Sequence, residues 1–334
     1  MNKHDKLVAL VKDLASERTF DNTSLEEMEA VVKQGIQELV CNNEGQVDFF
    51  KWEQNHPYVM ELIATAINEK LPKMVNKTIG QFAAFKTFKH GEKPRFMTKL
   101  GRKNVKRFVT KVAAAGNYER VRLDRDYFDV EVYAHGGAVY QTLEGFLAGR
   151  ENLTEVYAIL LEEIEMSIYQ DITTALQGTY DLLPAANKHT HTAFVEAQMK
   201  KILATVSAYG NPTIFCTRTF ANNLTPATNW ISEKDRGEMR DKGYLGKWNG
   251  ADVVILPQSF TDTTNTTSVL SDAYAYIIPS GSGDKVVNVG LEGGALVKKV
   301  DRGDWSAEIQ TYQKLGIAIL HTNHFGMFRI GTFN

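Results

Sequence analysis

Residues 152–178 read NLTEVYAILLEEIEMSIYQDITTALQG and form the longest helical pattern in the sequence. Asn152, with Glu155 three residues later, predicts an N-terminal capping box, and Gly178 and Pro184 predict the helix end. The apolar positions share one face of the helix; they are Val156, Ile159, Leu160, Ile164, Ile168, Ile172 and Leu176. The other face carries Glu162, Glu163, Glu165 and Asp171. The stretch therefore predicts a long helix with one buried stripe and one acidic surface.

The charges of the whole sequence are arranged in blocks around this helix. Residues 151–181 hold seven Asp or Glu and no Lys or Arg, and residues 1–69 carry a net charge of −7. Residues 70–125 hold 16 Lys or Arg and three Asp or Glu, a net charge of +13, although the whole chain carries only −2. Like charges in one block repel unless an opposite block lies against them. The layout therefore predicts contact between basic and acidic blocks, within one chain or between copies of it.

Size and composition are those of a folded chain with one to three domains, at 334 residues and 43% hydrophobic. The apolar runs are far too short to span a bilayer, so no membrane association is expected. The N-terminal region has an amphipathic pattern containing Asp13 and Glu17, which does not match a signal peptide. The two cysteines, Cys41 and Cys216, fit a reducing compartment without a disulfide framework.

Three helices are predicted before the basic block, at residues 3–18, 24–41 and 57–71. In the second, Ser24 and Glu27 have the spacing of a capping box. In the third, Pro57 is expected at the first turn and Pro72 just beyond the end, since proline is tolerated at those two places.

Residues 73–125 have no helical stripe, and their phenylalanines are scattered among Lys, Gly and Thr. Gly91 and Pro94 are expected at the tip of a turn, and residues 105–112 are strand-like. We interpret this segment as a long, two-stranded, basic excursion with too few apolar side chains for its own core.

The rest of the chain alternates strands and helices. The predicted strands are residues 126–139 (ending at Gly136-Gly137), 213–216, 251–257, 273–278, 285–289, 305–312, 316–321 and 325–330. The predicted helices are residues 192–206 and 231–242, so residues 182–300 have an α/β pattern.

The sequence contains no convincing catalytic, cofactor or metal site. Residues 281–285 read GSGDK and lack the spacing of a phosphate loop, which favours a hairpin turn. Four histidines, His189, His191, His321 and His324, could bind a metal, but surface or strand-end positions are the simpler interpretation. Glu162, Glu163 and Glu165 are better explained as a solvated or partner-facing surface than as acid–base catalysts. Cys216 lies in an apolar strand and is expected to be a buried thiol.

The basic block leaves three interpretations open. Its aromatic residues among Lys and Arg are also found in nucleic-acid binders. An exposed hairpin without a special role is the second interpretation. We favour a protein–protein contact, because the acidic helix offers a surface of opposite charge.

Two stretches carry a family resemblance beyond this pattern. Residues 243–260 read GYLGKWNGADVVILPQSF, a glycine-rich turn followed by a strand and a proline, and residues 305–312 read WSAEIQTY, followed by Gly316-Ile-Ala and Arg329-Ile. With the order of the elements, they resemble the major capsid proteins of tailed bacteriophages, the Hong Kong 97-type fold. The resemblance covers nearly the whole chain and implies an α+β fold class.

The resemblance also implies a division of the chain. The expected regions are an N-terminal helical arm (1–72), an extended loop or E-loop (73–125), a peripheral domain (126–184) with a spine helix (152–178), an α/β axial domain (185–300) and closing strands of the peripheral domain (301–334).

In such shells the extended loop reaches over the neighbouring subunit, near its spine helix. The inter-subunit contacts that the resemblance implies are Lys86, Lys89, Lys93, Arg95, Lys99, Arg102 and Lys103 on the loop, with Glu155, Glu162, Glu163 and Glu165 on the helix. We therefore expect a non-enzymatic virion protein that forms hexamers and pentamers of an icosahedral head enclosing double-stranded DNA.

The expected partners are other copies of the chain, a separate scaffolding protein, a portal protein, a possible decoration protein and packaged double-stranded DNA held by non-specific contact. Assembly is expected in the cytoplasm of a bacterial host, without a cofactor. Two alternatives stay open: the shell protein of an encapsulin-like nanocompartment, and a soluble metal-dependent enzyme that uses His189 or His321.

Overall fold

The computed structural model is an α+β chain. It describes residues 3–16, 18, 24–42, 44, 46–79, 83–99, 125–142, 153–224, 233–280, 285–301, 306–320 and 323–331. The helices are α1 (Lys3–Ala15), α2 (Leu25–Val40), α3 (Phe49–Ile79), α4 (Leu153–Gly178), α5 (Glu196–Ser207), α6 (Arg218–Ala221) and α7 (Glu233–Lys242). The strands are β1 (Ala83–Phe88), β2 (Arg95–Lys99), β3 (Arg125–Asp129), β4 (Tyr133–Thr142), β5 (Lys188–His191), β6 (Asn211–Cys216), β7 (Lys247–Trp248), β8 (Ala251–Ile255), β9 (Tyr274–Ser280), β10 (Val287–Asp301), β11 (Ser306–Ile319) and β12 (Gly326–Ile330).

The described strands form three sheets. A four-stranded sheet has the order β1-β10-β11-β4, in which β1 is parallel to β10 and the other pairs are antiparallel. A six-stranded sheet has the order β5-β12-β9-β6-β8-β7, in which β5–β12 and β6–β8 are parallel. The remaining strands, β2 and β3, form a two-stranded antiparallel ribbon. Strands distant in sequence are therefore neighbours in both large sheets.

Helix α4 is the predicted long helix, and it packs on both large sheets. Its N-terminal half lies against the four-stranded sheet, and its C-terminal half contacts Phe215 and Tyr276 of the six-stranded sheet. It ends at Gly178, as predicted, while the predicted cap at Asn152 lies outside the described residues. The stripe prediction was wrong at Ile159, which is 51% exposed, whereas Leu161 is buried. The stripe turns toward Leu161 because α3 also packs against this helix.

The six-stranded sheet is covered on both faces. One face packs on α5 and α6 through a cluster that includes Met199, Phe220 and Phe328. The other face joins the core shared by α3, α4 and the four-stranded sheet. A sheet buried on both faces reads as continuous apolar runs, and six of the seven residues of β9 are buried.

The first two helices are close to the predicted ones, and the third is not. The capping box of α2 is present, with the Ser24 hydroxyl accepting from the Glu27 N–H and the Glu27 carboxylate accepting from the Ser24 N–H. Helix α3, however, begins at Phe49 and runs through Pro57 and Pro72.

A side chain compensates for the first of these prolines. The Glu53 carbonyl, which Pro57 cannot bond because it has no N–H, has the His56 Nδ1 at 3.0 Å. The helix start is also fixed elsewhere than predicted, because the Asp48 carboxylate accepts from the N–H groups of Phe50 and Lys51. Side-chain hydrogen bonds thus move both the start and the continuation of α3.

Several predicted strand limits were wrong. The strand at 126–139 is two strands, and Gly136-Gly137 lies inside β4 rather than at its end. A Cβ on Gly137 would lie 3.5 Å from Leu160, an ordinary van der Waals contact, so this position faces α4. The segments at 305–312 and 316–321 form one strand, β11, because β10 and β4 both pair along it.

The predicted domain division stays a prediction, but two of its boundaries fall inside elements. Residue 72 lies within α3 and residue 300 lies within β10. The last strand, β12, falls in the expected closing strands of the peripheral domain (301–334), and it pairs with β9 and β5. Its Met327 and Phe328 are fully buried, and only the six-stranded sheet offers cover on both faces.

The interpretation of 73–125 as a single excursion was also wrong at its start. Residues up to Ile79 belong to α3, and β1 is an integral strand of the four-stranded sheet with Ala83 in the core. Gly91 and Pro94 lie at a turn against that sheet and not at a tip. Only β2 and β3 leave the sheet as a ribbon, and residues 100–124 between them lie outside the described residues.

Candidate assembly surface

The acidic surface of α4 is solvent-exposed at its two central carboxylates. Glu162 and Glu163 are both exposed. Glu165 is half-buried, and its carboxylate accepts a hydrogen bond of 2.8 Å from the Tyr169 hydroxyl. The side chain of Glu155 lies outside the described residues. Of the predicted acidic contacts, Glu162 and Glu163 are therefore the ones that present an open charge in one chain.

The root of the ribbon packs on the four-stranded sheet through aromatic rings. Phe96 is 2% exposed, and its ring centroid lies 5.8 Å from those of Phe88 and Phe128. Pro94 covers Gly290 of β10, where a Cβ would lie 2.6 Å from the proline ring. These contacts anchor the ribbon to the sheet without using its charges.

The turn before the ribbon is held by a buried carboxylate. Glu292 of β10 accepts from the Gly91 N–H at 2.8 Å and from the Lys314 Nζ at 3.1 Å, and its side chain is only 5% exposed. The Gly91 N–H and then Lys314 hold the pKa of Glu292 below its usual range. An ionised carboxylate here ties the β1–β2 turn to the middle of the sheet.

The predicted cations fall in different surroundings. The Lys86 Nζ lies 5.1 Å from the Phe96 ring centroid, and Lys89 and Lys93 are exposed. Arg95 is exposed and pairs with Asp129 across the ribbon, with Nε to Oδ1 at 2.6 Å and Nη2 to Oδ2 at 3.0 Å. The backbone of Lys99 pairs with that of Arg125, which ends the ribbon ladder. The positions of Arg102 and Lys103 lie outside the described residues.

Among the side chains that the structure describes, the two predicted sets are not brought together within one chain. Among the described ion pairs, none joins the lysines of β1 and the following turn to Glu162, Glu163 or Glu165. The hypothesis of contact within a monomer thus has no support from the described residues. Contact between copies is left as the arrangement to test.

Sequence reasoning missed one buried cation. The Lys299 side chain is 3% exposed, pairs with Glu53 and with Asp301 at 2.9 Å, and lies 5.7 Å from the Trp52 ring centroid. Burial opposes the charge, yet the two carboxylates outweigh it and raise the pKa of Lys299. The contact joins α3 to β10 over 246 residues of sequence, and no local pattern could have indicated it.

The structure describes the surroundings of three of the four histidines considered as metal ligands and of Cys216. His189 and His191 lie side by side on β5, with ring centroids 6.1 Å apart, and burial lowers the pKa of His189. His324 stacks on Tyr209, and His321 lies outside the described residues. Within the described ranges, no group of three or more His, Cys, Asp or Glu could hold a metal ion.

Cys216 is fully buried, as predicted, and burial raises the pKa of its thiol to about 12. No described helix is long and apolar enough to cross a membrane.

Comparison with known proteins assigns this chain to a family. The family described as "SPbeta prophage-derived putative capsid protein YonB" matches residues 6–329. No curated protein matches the sequence.

Solved phage structures share the fold. The mature capsid of bacteriophage PhiM1 is similar with a TM-score of 0.51 at 8% identity, over 76% of this chain and 87% of that one. The capsid structure of cyanophage P-SCSP1u gives 0.52 at 9% identity, over 77% and 89%. A structure of Microbacterium phage Oxtober96 gives 0.50 at 12% identity, over 74% and 88%. At identities this low, the structural similarity establishes the fold alone. It confirms the predicted fold class, an α+β fold of the Hong Kong 97 type.

Proposed function

This chain belongs to the YonB family of prophage-derived capsid proteins, and from that premise we propose that it assembles as hexamers and pentamers into an icosahedral head that encloses double-stranded DNA. A capsid protein is a structural component of the virion, so the site that matters is the surface where copies meet.

The observation that supports the proposal is the separation of charge in the folded chain. Glu162 and Glu163 are exposed on α4, whereas Lys89 and Lys93 are exposed beside the root of the ribbon. The sequence contains further Lys and Arg residues at 100–124, the segment that connects β2 to β3. A chain that leaves such blocks apart is self-complementary between copies.

The inter-subunit contacts that the resemblance implies are part of this proposal. We place Lys86, Lys89, Lys93, Arg95, Lys99, Arg102 and Lys103 of one copy near Glu155, Glu162, Glu163 and Glu165 of the next. A single exposed pair contributes little, about 0–1 kcal/mol. Repetition over every interface of a closed shell makes the sum enough to set orientation and to steer association.

The proposal extends to other components. A separate scaffolding protein, a portal protein and a decoration protein are proposed partners, and DNA contact is proposed to be non-specific. Assembly is proposed to take place in the cytoplasm of a bacterial host.

Electron microscopy of the chain, expressed alone and with its genomic neighbours, tests the proposal. Uniform closed shells or hexamer rings are expected. A small particle of one size, under every salt concentration and with every neighbour, would overturn it and favour the soluble enzyme. The contents of nuclease-treated shells separate a phage head, which holds DNA, from an encapsulin-like compartment, which holds protein.

A further inference from the structure

Among the ion pairs that the structure describes, helix α4 makes one, and its cation is a histidine. His135 of β4 places its Nε2 3.1 Å from the Oδ2 of Asp171 and its Nδ1 3.1 Å from the Oγ of Ser167. Residues 151–181 themselves contain no Lys or Arg. Histidine is the side chain whose charge ordinarily changes near neutral pH. The positive charge on this side of the acidic helix therefore depends on a proton.

The contact joins α4 to a strand at the edge of a sheet. Among the described strands, β4 is the last of the four-stranded sheet, and β11 pairs with it on one side. On the face toward α4, Gly137 meets Leu160, and Val139 packs against the core. An edge strand lacks ladder hydrogen bonds on its outer side. Contacts across its face, such as that of His135, are thus a larger share of what holds β4 in place.

The groups around His135 leave Asp171 as its charged partner. The titratable side chains on the neighbouring elements are Asp171 and Glu163 of α4, Lys314 of β11, and Glu131 and Tyr133 at the start of β4. Lys314 binds Glu292 at 3.1 Å, and Glu131 accepts from the Tyr133 hydroxyl at 3.1 Å. The residue opposite His135 on β11 is Gln313, which is buried and uncharged. Glu163 is exposed to solvent.

The site accommodates both charge states of His135, but it holds them with different strength. The neutral ring can donate from Nε2 to Asp171 while its Nδ1 accepts the Ser167 hydroxyl. The protonated ring donates from both nitrogens, and the serine oxygen then acts as the acceptor. Protonation adds the attraction of two opposite charges to the bond with Asp171. It therefore strengthens the contact without any rearrangement of the neighbouring side chains.

The same three residue types occur in catalytic triads, but the backbone around this serine does not suit catalysis. Ser167 lies inside α4, at a distance from both of its ends. The helix uses the backbone N–H groups there, and these are the groups that would have to stabilise an oxyanion. The arrangement is better explained by its charge.

We propose that protonation of His135 fastens β4 to α4, which makes the contact between this edge strand and the long helix sensitive to pH. The stability that the ion pair adds is present in mild acid and is lost as the pH rises and the imidazole loses its charge. Stronger acid sets the other limit, because Asp171 then takes up a proton. Burial raises the pKa of Asp171, and the charge of His135 opposes that rise. The inference concerns the subunit itself and holds whether or not copies form a shell.

A double-mutant cycle on the unassembled subunit tests the proposal. The variants are His135→Gln, Asp171→Asn and the double variant, and the unfolding equilibrium constant of each is measured in denaturant. Glutamine offers a neutral donor and an acceptor at every pH. The coupling between the two positions is expected to be about threefold stronger at about pH 6 than at about pH 8.5. Equal coupling at the two pH values would overturn the proposal.

Ser167 provides the matched control. Its hydroxyl bonds to either charge state, so its coupling to His135 should change less than about twofold between the same two pH values. The cycle combines Ser167→Ala with His135→Gln. If this coupling changes as much as the coupling with Asp171, the pH effect does not come from the ion pair and the proposal fails.

A permanent cation keeps the test decisive if His135→Gln does not fold. Lysine keeps its charge throughout this range of pH. The stability of His135→Lys relative to wild type is therefore expected to rise about threefold, as a ratio of unfolding constants, from the lower to the higher pH. An unchanged ratio would contradict the proposal and leave the proposed function of the chain untouched.

Discussion

The two large sheets differ in how they are covered. The six-stranded sheet has helices or core on both faces, and Ile277 and Phe328 in its middle are fully buried. The four-stranded sheet has α4 on one face, while on the other Leu296 and Tyr312 are 55% and 39% exposed. A surface buried within one chain stabilises that chain, whereas an exposed side chain contributes little to its stability. The first sheet is therefore covered on both faces within one chain, and the second leaves part of one face exposed.

The largest expected effect tests the stabilising role of the six-stranded sheet. Phe328→Ala removes a fully buried ring that contacts His189, Phe194 and Phe220. We expect it to lower the free energy of unfolding by about 3–5 kcal/mol, in denaturant titrations of the unassembled subunit. The matched control is Tyr312→Ala on the open face, which should cost well under that amount. Equal losses from the two variants would contradict the comparison.

The second prediction tests the buried cation of the four-stranded sheet. Lys299→Met keeps the apolar stem over Trp52 but removes the charge between Glu53 and Asp301. Both carboxylates can still reach water, so the expected loss of stability is about 1–3 kcal/mol. Lys298→Met, at the exposed neighbouring position, is the control and should be close to neutral. A neutral Lys299→Met would show that the ion pairs of Lys299 do not hold α3 to β10.

The third prediction concerns acid. The folded pKa of Glu292 is lowered, first by the Gly91 N–H and then by Lys314. A lowered pKa means that the stabilisation is complete above the usual value of 4.5 and is lost as the pH falls through the folded pKa. Glu292→Gln should therefore show a shallower decline of unfolding midpoint below about pH 4.5 than wild type. If Glu26→Gln, on the exposed face of α2, flattens the curve equally, Glu292 is not the group responsible.

The smallest effect on the subunit is expected at the assembly surface itself. Glu162→Lys with Glu163→Lys should change the free energy of unfolding by less than about 0.5 kcal/mol, because both side chains are exposed. Shell yield by electron microscopy should fall sharply, since the change opposes the basic block of the neighbouring copy. Asp241→Lys, exposed on α7, alters charge away from this surface and should assemble like wild type. Normal shells from the double variant would remove these carboxylates from the proposed contact.

Local patterns in the sequence predicted the elements well where the signal lies within a few residues. The capping box at Ser24 and Glu27, the end of α4 at Gly178 and the buried thiol of Cys216 were predicted correctly. In each case the deciding contact is short in sequence or is set by simple burial. The predicted limits of the helix at 57–71 were wrong, because side-chain hydrogen bonds from Asp48 and His56 start the helix earlier and let it continue through Pro57.

For the candidate site, the sequence identified the charge blocks but not their surroundings. It predicted an acidic helix surface, and Glu162 and Glu163 are exposed as expected. It did not predict that β1 joins the four-stranded sheet, nor that Glu292 holds Gly91, because these partners are about 200 residues apart.

What the sequence determined by itself was the order of helices and strands, the separation of charge and the resemblance to a capsid fold. These depend on residue type and spacing alone. The tertiary structure decided which strands became edges, that Gly137 faces Leu160 of α4, and that Lys299 is buried between α3 and β10. Those outcomes come from packing between distant segments, where the free energy depends on shape and cover that no single stretch of sequence contains.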